Sequence, residues 1–370
     1  MCYHYITVNV YGEIVLSFAN VYDRLLSMPV SLKDVAEIAG VSMATVSRVI
    51  NGKAEGQISL VMRDKIRRIA DDMGYEPNRL ARSLQSSKSK IIGVLIGRIS
   101  NPYFAKILEI TEEYAVGAGY QVISSSMLSP APGLQDRFRG WPIDGVLMWA
   151  TQDMVADTYF GGRAYNLPVV YMGHKRSDQA DSVVLNLYGG TCQLMDHLIA
   201  KGYRKIAIAA PHMDMDSIFD EERPRAYRDA CLSAGLDIRP IALRKYISSN
   251  EDMYGEKQRQ MGFQAGIELA AMPEYDRPDA VFCYNDLIAL GMREGLKRGG
   301  LRVPQDVAVA GCDGLEEGTF LSEALTTIDT PIMDIAREGM RMLINRISHG
   351  DALQQQTKTF NSTLRIGGTT

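Results

Sequence analysis

Ser42, Met43, Ala44, Thr45, Ser47, Arg48 and Asn51 crowd into one short stretch that offers hydroxyls, a guanidinium and an amide but no acid. Such groups can donate to base edges and phosphate oxygens, while Met43 and Ala44 can give only apolar contact, for example to a thymine methyl. Acting together requires that they share a helix face, and the surrounding spacing supplies one. Leu32, Val35, Ala36 and Ala39 make an apolar stripe at helical spacing, Gly40-Val41 interrupts it, and Val46, Val49 and Ile50 begin a second stripe. Two short helices meeting at a tight turn are expected. Gly40 accepts a left-handed backbone, Ser42 is placed to cap the second helix by accepting from an N–H near Thr45, and Ala36 is small where the helices would cross. The exposed face of the second helix has the composition of a surface made for a DNA major groove. An ordinary helical hairpin with a solvated polar face has the same pattern.

The 370 residues suggest two or three folding units at about 150 residues each. Hydrophobic content of 46% and charged content of 23% allow substantial cores and place the chain among globular proteins. The net charge of −4 is unevenly spread: residues 28–90 carry eleven Lys and Arg against seven Asp and Glu, while residues 91–370 carry an acidic excess. The basic segment is the one holding the helix pair, as phosphate binding requires. Cys2, Cys192, Cys231, Cys283 and Cys312 lie far apart without a metal-ligand or disulfide spacing, which reads as reduced thiols in a cytosolic protein. No metal or cofactor is expected, no apolar run is long enough for a membrane span, and no secretion signal is evident.

Residues 1–27 form a β-like apolar patch without an evident partner, and Met28 is the expected natural start, with a docking arm as the competing reading. A third helix is expected from Ser59 to Met73, with Leu60, Met62, Ile66, Ile69, Ala70 and Met73 on one side and Gly74 closing it. After Tyr75-Glu-Pro-Asn78, residues 79–85 make a helix of barely two turns, too short to stand alone, and Ser86–Lys90 reads as a polar linker. From Ile91 the texture changes. Continuous apolar runs at Ile91–Ile96, Gly145–Trp149, Val169–Met172, Lys205–Ala209, Ala280–Tyr284 and Val307–Ala310, with Tyr120–Ser124, read as strands buried on both faces. They alternate with helices at Pro102–Gly117, Leu194–Ala200, Arg225–Ala234, Gly262–Ala271 and Leu287–Arg298, the mark of one or two doubly wound parallel sheets. No glycine-rich phosphate loop accompanies them, which leaves nucleotide binding weak. Ser, Asp and His residues are scattered in no catalytic arrangement, so an enzyme is not expected.

With helix pair, hinge and α/β body in place, the chain resembles the LacI/GalR family of bacterial transcription repressors from about Leu32 to Arg365. The resemblance rests on Asp34-Val-Ala, Gly40-Val-Ser, Thr45-Val-Ser-Arg-Val-Ile-Asn51, Gly74-Tyr-Glu-Pro-Asn78, Ala81-Arg-Ser-Leu84, Asn101-Pro-Tyr-Phe104, Asn285-Asp-Leu-Ile-Ala-Leu-Gly291, Arg302-Val-Pro-Gln-Asp-Val307, Gly311-Cys-Asp313 and Leu325-Thr-Thr-Ile328 in that order. It implies an α/β protein with an N-terminal helix-turn-helix domain and hinge helix, followed by two doubly wound lobes like those of periplasmic sugar-binding proteins, joined by three crossovers. The expected divisions are an extension at 1–27, the helix-turn-helix domain at 28–77, hinge and linker at 78–90, and the two-lobed effector and dimerisation domain at 91–370. Met43 and Ala44 would discriminate operators, with Ser42, Thr45, Ser47, Arg48 and Asn51 adding contacts. Ala81, Arg82 and Leu84 would enter the minor groove, Leu84 as a wedge between base steps. Tyr103, Phe104, Trp149, Phe219, Arg223, Asn285 and Asp313 fall where the family lines its ligand cleft, and their chemistry suits a carbohydrate. The implied partners are double-stranded operator DNA, a small-molecule effector and a second copy of the chain. Asn186-Leu187 departs from the acid and amide usual there, and Pro130, Pro132, Gly133 and Pro142 break the helix usual between Gln121 and Asp144.

Overall fold

The computed structural model describes residues 30–76, 88–126, 142–149, 167–174, 176–177, 180–211, 221–246, 257–350 and 354–370. The extension at 1–27, the hinge residues Ala81, Arg82 and Leu84, Phe219, and most of the proline-broken segment after Ser126 lie outside the described residues. The chain divides into two compact units, one up to Gln85 and one from Ser86 onward.

In the first unit α1 (Leu32–Ala39), α2 (Met43–Ile50) and α3 (Leu60–Asp72) surround Val35, Ala36, Ala39, Val46, Val49, Ile66 and Ala70. Helices this short need help at their ends. Ser31 and Asp34 form a reciprocal capping box on α1. Gly40 ends that helix at φ 71°, and Lys65 reaches from α3 to donate to the Ala39 carbonyl at 3.1 Å, placing a cation at a helix C-terminus. Gly74 follows the α3 C-cap Met73 at φ 64°, and Tyr75 N–H closes the end on the Ala70 carbonyl. Leu60 departs from expectation: it is 68% exposed. Six residues before Ile66 puts it about 240° around the helix, off the core face.

The second unit contains two six-stranded sheets. The first runs β11-β5-β4-β3-β1-β2, from β1 (Ile91–Ile96), β2 (Gln121–Ser126), β3 (Gly145–Met148), β4 (Val169–Gly173), β5 (Asp181–Asn186) and β11 (Thr357–Asn361), all parallel. The second runs β12-β10-β9-β8-β6-β7, from β6 (Ile206–Ala210), β7 (Arg239–Ala242), β8 (Ala280–Cys283), β9 (Ala308–Asp313), β10 (Thr326–Asp329) and β12 (Thr363–Arg365), parallel except for antiparallel β12. The helices are α4 (Pro102–Gly117), α5 (Leu187–Ala200), α6 (Glu222–Ala234), α7 (Lys257–Ala270), α8 (Asp286–Arg298) and α9 (Ile332–His349). The chain passes between sheets after β5, after β10 and between β11 and β12, the three crossovers expected of two lobes. Ser362 laces two of them together by donating its hydroxyl to the Asn186 carbonyl at 2.7 Å.

Several helices begin earlier than their apolar periodicity indicates. Helix α5 starts at Leu187 rather than Leu194 because Asn186 accepts from Gly189 N–H and the Glu222 carboxylate accepts from Leu187 and Tyr188 N–H, satisfying the orphan donors of its first turn. Helices α7 and α8 touch backbone to backbone. A Cβ at Gly262 would strike the Ile288 carbonyl, and one at Gly291 the Arg259 carbonyl.

Candidate functional site

On α2 the residues expected to meet DNA share the outer face. Met43 is 53% exposed, Ala44 and Arg48 are exposed, and Thr45, Ser47 and Asn51 are half-buried. Ser42 Oγ accepts from Thr45 N–H at 3.2 Å and lies 2.9 Å from its hydroxyl. Asn51 Nδ2 donates to Ser47 Oγ at 3.1 Å. Among the described residues Arg48 has no ion pair, so its guanidinium stays available, while its smaller neighbours are held in place by local bonds.

The second unit encloses a cavity of about 210 Å³ at the C-terminal ends of the strands of both sheets, where parallel α/β sheets bind ligands. Each wall grows from the same device, a buried strand that ends and releases a loop or helix N-terminus. On the first-sheet side, Arg98 follows β1, Tyr103 and Phe104 open α4, Trp149 follows β3 and His174 follows β4. Their rings make an edge-to-face cluster: Tyr103 lies 5.4 Å from both Phe104 and Trp149, and Trp149 lies 6.0 Å from His174. Leu185 and Leu187 add apolar surface. On the second-sheet side stand Arg223 at the start of α6, Gln258 on α7, Tyr284 and Asn285 after β8, Asp313 at the end of β9 and Thr330 after β10.

The second wall is extensively self-bonded. Arg223 is 5% exposed; its Nε donates to Glu221 Oε1 at 2.9 Å, an NH2 group donates to the Tyr284 carbonyl at 2.8 Å, and the guanidinium sits 3.6 Å from the Tyr284 ring centroid. Asn285 caps α8 through Ile288 N–H at 3.0 Å and donates to Gln258 Oε1 at 2.9 Å. Behind them Asp286 accepts from the Thr327 hydroxyl at 2.6 Å and from Leu315 N–H at 2.7 Å, and burial lifts its carboxyl to about 6. Asp313 differs. Its φ is 130°, a conformation rare for a residue with a side chain, and Thr330 donates to its carbonyl at 3.0 Å. Its carboxylate has no hydrogen-bond partner among the described residues, and burial together with the Asp286 charge raises its pKa well above the ordinary range.

The first wall keeps its polar atoms open. Arg98 Nε, the Tyr103 hydroxyl and His174 Nδ1 are buried without a hydrogen-bond partner among the described residues, and the Tyr103 hydroxyl is directed at Thr330 without completing a bond. Burial, helped by the positive charge of Arg223, holds the His174 ring down at about 4, so it is neutral near pH 7.

Of the residues expected at the cleft, Tyr103, Phe104, Trp149, Arg223, Asn285 and Asp313 line this one cavity. The sequence reading missed His174, Arg98, Gln258, Tyr284 and Thr330. His174 and Arg98 had a usable signal, since each follows a buried apolar strand after a glycine, at Gly173 and Gly97. Gln258 had none, because it reaches Asn285 only through the close packing of α7 on α8. At the departure Asn186-Leu187, Asn186 turns to Asn361 Oδ1 at 2.9 Å while Leu187 lines the cavity.

The sequence pattern of bacterial regulatory proteins of the lacI family matches residues 31–78, and that of the periplasmic binding protein-like domain matches residues 195–370. The HTH-type transcriptional repressor PurR of Vibrio campbellii is 30% identical over 327 residues, spanning 86% of this chain and 92% of that protein. The ribose operon repressor of Haemophilus influenzae is 30% identical over 326 residues with the same coverage. The crystal structure of the Lac repressor dimer bound to operator and the anti-inducer ONPF superposes with a TM-score of 0.75 at 24% identity, covering 92% of this chain and 99% of that one, a likeness of fold. Helix-turn-helix unit, paired α/β sheets and relatives agree: the chain is a transcriptional repressor and belongs to the lacI family of bacterial regulatory proteins.

Proposed function

We propose that this repressor binds a near-palindromic operator as a homodimer and that a small carbohydrate held in the cavity controls that binding. The observation that carries the effector reading is the Asp313 carboxylate, half-buried and without a hydrogen-bond partner among the described residues, which lines the same cavity as the Trp149, Tyr103 and Phe104 rings. A hydroxylated ring supplies donors for the carboxylate and a C–H face for the aromatics. The name of the Haemophilus influenzae relative, a ribose operon repressor, supports the same class. In this division of labour residues 28–77 read DNA, 78–90 form hinge and linker, and 91–370 bind effector and dimerise. Met43 and Ala44 give apolar contact to bases, Arg48 pairs with a guanine edge, and Leu84, with Ala81 and Arg82 beside it, wedges the minor groove, a role that rests on the resemblance alone.

The test begins with duplexes selected from a random pool by the full chain, followed by anisotropy titrations with and without each member of a monosaccharide collection. A sugar that binds the protein should change operator affinity, and operator should change sugar affinity by the same factor. Sugars that bind without altering operator affinity would defeat effector control. Leu84→Ala binding the selected duplex as tightly as wild type would defeat the hinge assignment.

A further inference from the structure

The chain enters the first sheet through a clamp that strand pairing does not need. Ser89 and Lys90 immediately precede β1, and both donate to one carboxylate: Ser89 N–H and its hydroxyl to Asp144 Oδ1 at 2.7 and 2.8 Å, and Lys90 N–H to Asp144 Oδ2 at 2.9 Å. Ser89 Oγ in turn accepts from Ile91 N–H at 3.1 Å. Asp144 stands just before β3, and the backbone around it is already paired. Its N–H donates to the Ile91 carbonyl at 2.8 Å, and Gln121 N–H, opening β2, donates to the Lys90 carbonyl at 2.8 Å. The Asp144 side chain therefore serves the incoming chain rather than the ladder. Hydrogen bonds to a carboxylate are roughly twice as strong as neutral ones, and these hold Lys90 at φ 59°, a left-handed backbone uncommon for a residue with a side chain. The Lys90 ammonium lies 4.2 Å from the centroid of the buried Tyr120 ring.

The two strands that meet at this clamp end at the cavity. Strand β1 leads to Arg98 and β3 to Trp149, both of which line it, and Trp149 N–H donates to the Leu95 carbonyl at 2.7 Å. The strands are thus bonded to each other from the clamp to the cavity, a span of roughly 20 Å at about 3.3 Å per residue. We infer that Asp144 anchors the linker to this strand pair and is a positioning residue for operator binding, because it fixes the point from which the preceding residues leave the sheet. The inference rests on the reading of residues 78–90 as hinge and linker. A linker released at Ser89 and Lys90 has more conformations to lose when the hinge engages DNA, and that ordering cost is subtracted from affinity.

The experiment compares the full chain with Asp144→Asn, Ser89→Ala and Leu84→Ala, using anisotropy on the selected duplex and hydrogen exchange read by mass spectrometry. Asparagine keeps the shape of the side chain but turns an NH2 group toward backbone N–H donors. Asp144→Asn should bind the duplex about tenfold more weakly, with faster exchange at Ser89 and Lys90 and none of that change inside the strands. Ser89→Ala removes only the hydroxyl and should weaken binding by about threefold. Faster exchange at Ser89 and Lys90 in Asp144→Asn with wild-type duplex affinity would overturn the positioning role, and unchanged exchange there would overturn the clamp. Weaker binding with faster exchange throughout residues 91–370 would make Asp144 a folding residue and overturn the inference as well. Leu84→Ala separates the two possible failures. If it binds as tightly as wild type, the hinge reading falls and this inference with it; if it binds weakly while Asp144→Asn does not, only the anchor is lost.

Discussion

On one side of the cavity Arg223 is bonded to Glu221 and Tyr284, Asn285 to Gln258, and Asp286 to Thr327 and Leu315. On the other, Arg98, Tyr103 and His174 carry buried polar atoms with no partner among the described residues. Both walls rise from the C-terminal ends of parallel strands, so the difference lies in what the side chains have already found. A bonded wall contributes to folding whether or not ligand is present, and an open wall loses free energy until ligand arrives. Asp313 is the second wall's exception, with a carboxylate that has no hydrogen-bond partner among the described residues. The cavity therefore pairs a preorganised face with a face whose buried polar atoms are unbonded.

Breaking the bonded wall should have the largest consequence. Arg223→Met leaves Glu221 beside the cavity without its cation, and urea unfolding should record a loss of about 3 kcal/mol, the scale for breaking a largely buried pair from one side. Asp313→Asn should act in the opposite direction. Removing a carboxyl whose pKa folding raises well above the ordinary range relieves a destabilisation present near pH 7, so unliganded stability should rise by about 1 kcal/mol while effector binding weakens, an exchange of stability for function. A loss comparable to that of Arg223→Met would mean that Asp313 belongs with the bonded groups after all.

The smallest effect distinguishes the walls by pH. His174 is lowered in the folded state to about 4, so its contribution to stability is complete above the unfolded value near 6.5 and is lost as pH falls toward 4. Asp286 is raised to about 6, so its contribution is complete below about 3.9 and is lost as pH rises through 6. The two trends oppose each other between pH 4 and 6. In His174→Gln only the acid trend remains. Thermal melts from pH 6.5 down to 4.5 should show the variant gaining steadily on wild type, and parallel curves would mean that the His174 ring is not held neutral by its surroundings.

Much of the architecture was legible because its signals are local. Ile91–Ile96 reads as a strand buried on both faces and is one, and α4 runs from Pro102 to Gly117 as expected, since Asn101 caps it and proline suits the first turn. The long helix α9 escaped notice despite Ile335, Ala336, Gly339, Met340 and Leu343 on one face, because Pro331 precedes it without a side-chain cap. Edge strands β11 and β12 carry mostly exposed or half-buried residues, Thr357–Asn361 and Thr363–Arg365, and leave no apolar run to detect. At the site, charged and aromatic residues within motifs were found, whereas His174 stands alone in sequence and becomes significant only when β4 delivers it beside Trp149. Gln258 depends on a contact between helices that no local pattern encodes.

That contact between α7 and α8 also limits how the repressor can change its ligand. Where two backbones touch at Gly262 and Gly291, a methyl group at either position must push one helix away, and Gln258 and Asn285 would separate with it. The second wall is thus a poor place to begin altering preference, since its substitutions disturb packing before they alter recognition. Arg98, Trp149 and His174 sit at strand ends on the other side, with spare bonding capacity or an apolar face. New effector preferences, whether selected in the laboratory or acquired by duplication and drift, should accumulate first along that accommodating side.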